Sequence, residues 1–353
     1  MTREPGPGRT VQFLRSLSFT VVLAGSALVS CGNGSSPGHG ALIALELGLP
    51  TDVTSFANAD VAVAEAQGFF RAAGLTVHVR NLSSGVTVVQ GVFGGSLQIG
   101  AASIEPVVNA HAQGGALSII GSYADRLTVS MVTPRVIQTP ADLRGKRLGI
   151  QQVGAFREVM TRMVLEDAGL TAADAAYVPV SANGYASALI QGVVQSAILQ
   201  AEQAIDVLQR DGKLHVLVDL GQLRPDYFYG TYVVARSWLA KHQDVARRFL
   251  TAIVQAHRFM YQDKPRTVTI VAQATGFSEQ VIGQAYDELI GRAGVFPVNA
   301  SLDAERITRT IQTMRQFKIV ASAASAGSPL VDRGPIAAVI GELGAWTGDP
   351  RWR

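Results

Sequence analysis

An α/β fold with mainly parallel strands is what this sequence predicts, and two patterns predict it. Short apolar runs alternate with amphipathic helical stretches from Ala41 onward, the alternation of strands covered on both faces by helices. Beyond Arg236 the strand pattern stops and helical periodicity takes over. The strand candidates come in order as ALIALELGL (41–49), GLTVHVRNL (74–82), LQIGAA (97–102) and LSIIGSY (117–123), then RLGIQQ (147–152), AAYVPV (175–180), SAIL (196–199) and LHVLVDL (214–220). Helices lie between them: one around Val61, Ala62, Ala64 and Glu65, one opened by SSGVTVVQGVF, one in SIEPVVNAHAQGG ending on glycines, one over 155–168 and one in GYASALIQG. Thr139, Pro140 and Asp142 take the N-cap, N1 and N3 places of a compact turn that Gly145 stops. In the helical tail, Val245, Phe249, Ile253, Ala256 and Met260 form one stripe of a helix over 244–261, a core-packing pattern, and helices follow at 265–274, 278–291 and 303–317.

The first thirty residues read as an export signal: Arg3, Arg9 and Arg15 precede an apolar run, Phe19 to Val29, that is too short for a stable membrane span. The run ends at LVSCG (28–32), which resembles the bacterial lipobox, so Cys31 is expected to carry a lipid; a plain secretory cleavage beside an unrelated cysteine is the other reading. GNGSSPGHG (32–40) has the composition of a flexible tether. Cys31 is the only cysteine and the six histidines (39, 78, 111, 215, 242, 257) are scattered, which excludes an intrachain disulfide and argues against a metal site. Without residues 1–30 the chain holds 27 basic and 26 acidic residues, a near-neutral balance unlike the concentrated cationic face that nucleic acid requires. The 323 residues that remain suit two lobes of roughly 100 to 200 residues each.

AEAQGFFRAAGLTV (64–77) resembles a signature of the substrate-binding proteins of ABC transporters in the nitrate, sulfonate, taurine and thiamine-precursor (pyrimidine) group. TPADLRGKRLGI (139–150), EDAGL (166–170) and VPV (178–180) fall in that family's order and approximate spacing, and the resemblance covers roughly residues 41 to 320. It implies a two-lobed periplasmic-binding-protein type II fold with two hinge crossovers and a ligand cleft between lobes. By that analogy lobe one is 41–125 plus 232–353 and lobe two is 126–231, with crossovers near Tyr123–Thr128 and Tyr227–Tyr232. The implied role is an extracytoplasmic, membrane-anchored receptor, monomeric and without cofactor, that closes on a small molecule and delivers it to an ABC permease and its ATPase subunits.

In open α/β sheets ligands bind beyond the carboxyl ends of strands, which selects the loops 50–58, 82–86, 101–106, 151–157 and 181–185. Ser83, Ser84 and Gly85 suit a helix start that offers backbone N–H groups to an acceptor, and Gln152 and Gly154 to Arg157 form the facing start. Family members that bind sulfonate or nitrate commonly carry hydroxyls after that glycine, whereas this chain has Ala155 and Phe156, with Arg157 as a substitute positive charge or a surface residue. Ser55, Phe56, Tyr185, Tyr227 and Phe228 are candidates to line the cleft; Asn58, Ser103 and Asn183 to orient a ligand; Glu105 and Glu202 to grip an amino-bearing one. Core packing competes for each aromatic, and helix-start charge for each glutamate. Gln98 and Gln195 stand where relatives often have aspartate, and Ala201 where they have an acidic residue before proline, so ligand carry-over is unsafe. The pattern favours a neutral or weakly charged heterocyclic or amphiphilic ligand, with an alkanesulfonate, taurine or nitrate type oxyanion as alternative. Two further alternatives are a sensor that signals to a receptor and an enzyme like the pyrimidine-precursor synthases, which carry a cysteine-rich motif that this chain lacks.

Overall fold

The computed structural model describes residues 41–51, 54–299, 302–320 and 330–349. Residues 1–40, on which the expected export signal, Cys31 and the expected tether fall, lie outside the described residues. Among the described residues, ten strands form two five-stranded sheets. β1 (Ile43–Leu49), β2 (Leu75–Asn81), β3 (Ile99–Ser103) and β4 (Leu117–Gly121) belong to the first, and β5 (Val129–Pro134), β6 (Arg147–Ile150), β7 (Ala176–Pro179), β8 (Ser196–Gln200) and β9 (Leu214–Asp219) make the second. β10 (Gly230–Ala235) returns to the first sheet between β3 and β4.

The two sheets are built alike. Their orders are β2-β1-β3-β10-β4 and β7-β6-β8-β5-β9, and the fourth strand of each runs antiparallel to its neighbours. In each sheet that strand is the one arriving from the other, so every chain crossing ends by completing a sheet. The central strands β3 and β8 and the edge strand β4 are buried along their whole length, as expected for strands covered on both faces. A parallel pair needs a helical crossover, and the helices of 59–66, 85–93, 156–167 and 185–190 supply it.

β5 was not among the strands that the sequence patterns select, because its run VSMVTP follows directly on the crossover and lacks flanking turn signals. The helix expected over 278–291 is α-helical only for Glu279–Tyr286 and then widens into a π-helical segment, Asp287–Ala293. A further helix, Gly334–Leu343, packs on the first lobe beyond the stretch that periodicity covers.

The two crossovers touch. Gly230 N–H donates to Ala124 O at 2.7 Å, and Ser122 Oγ donates to Gly230 O at 2.7 Å. Gly230 has no room for a side chain, since a Cβ there would lie 2.3 to 2.6 Å from ring atoms of the fully buried Tyr123. That ring in turn stands edge-on to Tyr229 and Tyr232, with centroids 5.6 and 5.9 Å away, so the hinge is an aromatic stack threaded by one glycine.

Candidate functional site

Helix starts from both lobes meet at the carboxyl ends of the central strands. From the first lobe come the turn Phe56–Asn58, which follows Ser55, the helix Gly85–Phe93, capped by Ser84, and the helix Ile104–Ala112 after β3. From the second come Phe156–Asp167 after β6 and Ala201–Arg210 after β8. Direct hydrogen bonds join the lobes here. Phe56 N–H donates to Glu202 Oε1 at 3.2 Å, Ser84 Oγ to Gln152 Oε1 at 3.1 Å, and Gln151 Nε2 to Ser83 O at 3.1 Å. The conformation is a closed one.

The second-lobe helix start is formed by Gly154, whose φ of +78° is natural only for glycine, followed by Ala155 as N-cap. Just before that cap, Gly154 N–H goes to Glu158 Oε2 at 3.0 Å, and Glu158 is paired with Arg162 at 2.7 Å. A carboxylate therefore sits at the positive end of this helix. Phe156, 9% exposed, lies against Tyr229 with ring centroids 4.6 Å apart. Arg157 is 2% exposed and turned into the second lobe. Its guanidinium donates to Ile198 O and, at 3.0 Å, to Gln203 Oε1, and it lies 4.5 Å above the Tyr185 ring. Arg157 is thus neither a cleft charge nor a solvent-face residue but a buried strut within one lobe.

Two buried carboxyls mark the site. Glu105 is fully buried; Oε1 accepts from Tyr227 OH at 2.7 Å, and Oε2 has no hydrogen-bond partner. Burial pushes its pKa above the usual carboxylate range, partly offset by Ser103 and Tyr227. Glu202, 1% exposed, is pushed up by burial too, partly offset by its own and Phe56's N–H groups and by Arg157's charge; its Oε2 also lacks a partner. Asn58, buried, has an unpartnered Nδ2. Buried polar atoms without partners are costly, about 1–3 kcal/mol each, and several within one closed cleft point to a ligand that supplies the missing bonds.

The remaining candidates are dispersed. Gly85 is buried against Ala102 and Pro106, too near for a ligand to pass between. Asn183 is exposed, and Tyr185 is buried in the second-lobe core beneath Arg157. Phe228 is fully buried, and its N–H donates to Thr310 Oγ1 at 2.7 Å. Residues that the sequence reading passed over are Gln151, Gln200, Gln203 and Tyr229. Gln200 Nε2 donates to Tyr229 OH at 2.9 Å, while Gln203 caps Gln200 and donates to Ala182 O at 3.1 Å. A run of glutamines at the end of a strand, LQAEQ, was the available signal. Among the described residues no group of three or more His, Cys, Asp or Glu is placed to hold a metal, and no helix is long and apolar enough to cross a membrane.

Two α/β lobes of identical strand order, linked by paired crossovers and closing helix starts on a polar cleft, define the two-lobed fold of periplasmic binding proteins, type II. Residues 55–267 match the model of the NMT1/THI5-like family, and the chain belongs to it. The taurine-binding periplasmic protein of Escherichia coli (strain K12) is 25% identical over 239 residues, 64% of this chain and 72% of its own. Among solved structures, the periplasmic nitrate-binding protein NrtA from Synechocystis PCC 6803 is similar with a TM-score of 0.73 at 12% identity, covering 86% of this chain and 90% of that one. The alkanesulfonate-binding protein SsuA from Xanthomonas axonopodis pv. citri, bound to MOPS, gives 0.68 at 19% identity, covering 82% and 98%. These two likenesses concern the fold.

Proposed function

We propose that the protein is an extracytoplasmic solute-binding protein of an ABC importer, and that its solute is a small organic molecule carrying hydrogen-bond donors, neutral or cationic, with a flat or apolar part. The observation that carries the ligand class is the pair of buried glutamates. Glu105 and Glu202 each offer an unpartnered oxygen that can only accept while ionised, and Asn58 offers one donor for an acceptor on the ligand. Phe56, Phe156 and Tyr229 would supply apolar walls. At two of the starts that an oxyanion would use, one N–H each, of Gly154 and of Phe56, is held by the protein's own carboxylates, Glu158 and Glu202. The second reading, an oxyanion of the sulfonate or nitrate type, is favoured by the taurine-, alkanesulfonate- and nitrate-binding relatives and requires Glu202 to leave the Phe56 N–H.

Thermal unfolding against a panel of amines, pyrimidines, other heterocycles, sulfonates and nitrate tests the reading. A ligand at a hundredfold over its Kd adds roughly 2.7 kcal/mol. Stabilisation by donor-bearing heterocycles or amines is the expected result; stabilisation by sulfonates or nitrate alone overturns the ligand class, and no response across the panel counts against a solute-binding role. The proposal places the chain at the membrane through a lipid on Cys31. Cys31→Ser is then expected to move the protein from the membrane to the soluble fraction, and unchanged membrane association would contradict the anchor.

A further inference from the structure

On the flank of the hinge, apart from the cleft, the molecule has a groove of about 770 Å³. Four segments wall it: the first crossover (Arg126, Leu127, Thr128), the approach to the second (Asp219 to Pro225), the helix Ala201–Arg210, and the π-helical turn that follows Gln284. Its size falls within the roughly 300–1,000 Å³ of small-molecule sites. π-helical segments are rare, and they occur frequently at functional sites.

The lining sets the chemistry of the occupant. Ile205, Leu208, Val216 and Leu289 give an apolar surface, and the charged side chains on the wall are already held in ion pairs or hydrogen bonds. Arg126 donates to Ala293 O at 2.9 Å and lies 3.4 Å from Asp125; Arg292 is bound to Glu288; Asp287 holds Lys264 at 2.5 Å; and Asp219 accepts from Gln222 N–H and Nε2 at 3.1 and 2.9 Å. A charged ligand would give up hydration against this apolar surface and compete with these contacts, whereas a neutral molecule with an apolar body and polar edges would not. The groove is also tied to the closed form. Its walls come from both lobes, and Gln209 Nε2 donates to Gln284 Oε1 at 2.9 Å, joining the helix Ala201–Arg210 to the helix Glu279–Tyr286 that leads into the π-helical turn. On its hinge side, Thr128 Oγ1 donates to Gln200 Oε1 at 3.3 Å, and Gln200 holds the Tyr229 hydroxyl whose ring backs Phe156 in the cleft.

We propose that this groove is a second ligand site for a neutral amphipathic small molecule, whose occupancy favours the closed form and thereby raises the affinity of the cleft for its solute. The coupling rests on the solute-binding reading; the existence of the site does not. A molecule that fits walls from two lobes has differential affinity for open and closed states, and linkage makes the effect reciprocal.

The test is hydrogen exchange on the full chain with octyl glucoside below its micelle concentration as the probe, comparing wild type with Val216→Arg, Gln222→Trp and Glu202→Gln. Val216 is half-exposed on the edge strand β9, so an arginine there places an unpaired charge on the groove without disturbing the core. Saturable protection of 126–130, 201–208 and 284–293, weakened about tenfold or more by Val216→Arg and by Gln222→Trp and unaffected by Glu202→Gln, is the expected outcome. Equal protection in all four proteins, protection confined to 55–58 and 152–157, or none, would overturn the site. Protection at the groove with no change in the cleft's affinity for a solute found by the panel would overturn the coupling alone.

Discussion

Arg157→Ala is expected to lower the unfolding free energy by about 3–5 kcal/mol, read as a fall in denaturant midpoint at unchanged m. The guanidinium is almost fully buried and holds three things at once: the Ile198 carbonyl in β8, the Gln203 side chain, and the face of the Tyr185 ring. Charged hydrogen bonds contribute about 1.5–3 kcal/mol each and a desolvated cation–π contact about 2. The sum exceeds the net expectation because a buried cation also costs desolvation, which its removal returns. Arg157→Met keeps much of the volume and should recover part of the loss. Both variants should push the Glu202 carboxyl further up, since Arg157 is one of the groups that hold it down. A loss under 1 kcal/mol in Arg157→Ala would mean that Gln203 and the Ile198 carbonyl find other partners without it.

Arg157 also shows where sequence reading stops. Gly154 and the helix behind it were legible, because a glycine turn between an apolar run and a helical stripe has few other meanings. The direction of a side chain one turn into that helix depends on which face of the second sheet the helix covers, and no local pattern carries that. Glu105 and Glu202 pose the same problem from the other side: a carboxylate in the first turn of a helix is ordinary surface chemistry until the closing lobe buries it. β1 to β4 were legible from their apolar runs, whereas the returning strands β5 and β10 were not, since only their antiparallel pairing inside the sheets distinguishes them from linkers. The flank groove lay beyond any local reading, because its walls come from residues near 126, 205, 220 and 289, brought together only by the paired crossovers.

Glu202→Gln is expected to move the two ligand classes in opposite directions. The amide oxygen keeps the Phe56 N–H, so the inter-lobe bond of 3.2 Å survives and Nε2 takes the place of the unpartnered Oε2. A donor-bearing ligand then meets a donor and loses about 2–5 kcal/mol, roughly 30-fold or more in Kd. An oxyanion gains a donor and loses a repelling charge, and binds more tightly. Changing pH does the same to the unmodified protein. Burial sets the folded pKa of Glu202 above its unfolded value, so its contribution to stability is full below the unfolded pKa and is lost as pH rises through the folded one. As pH falls through that raised value the carboxylate takes up a proton, weakening the grip on an ammonium or N–H donor and easing the entry of an oxyanion. Isothermal titration of the panel ligand against wild type and Glu202→Gln, at neutral and mildly acid pH, reads both effects. Tighter binding in the variant together with tighter binding at acid pH would assign the cleft to an oxyanion, and weaker binding in both would assign it to the donor-bearing solute.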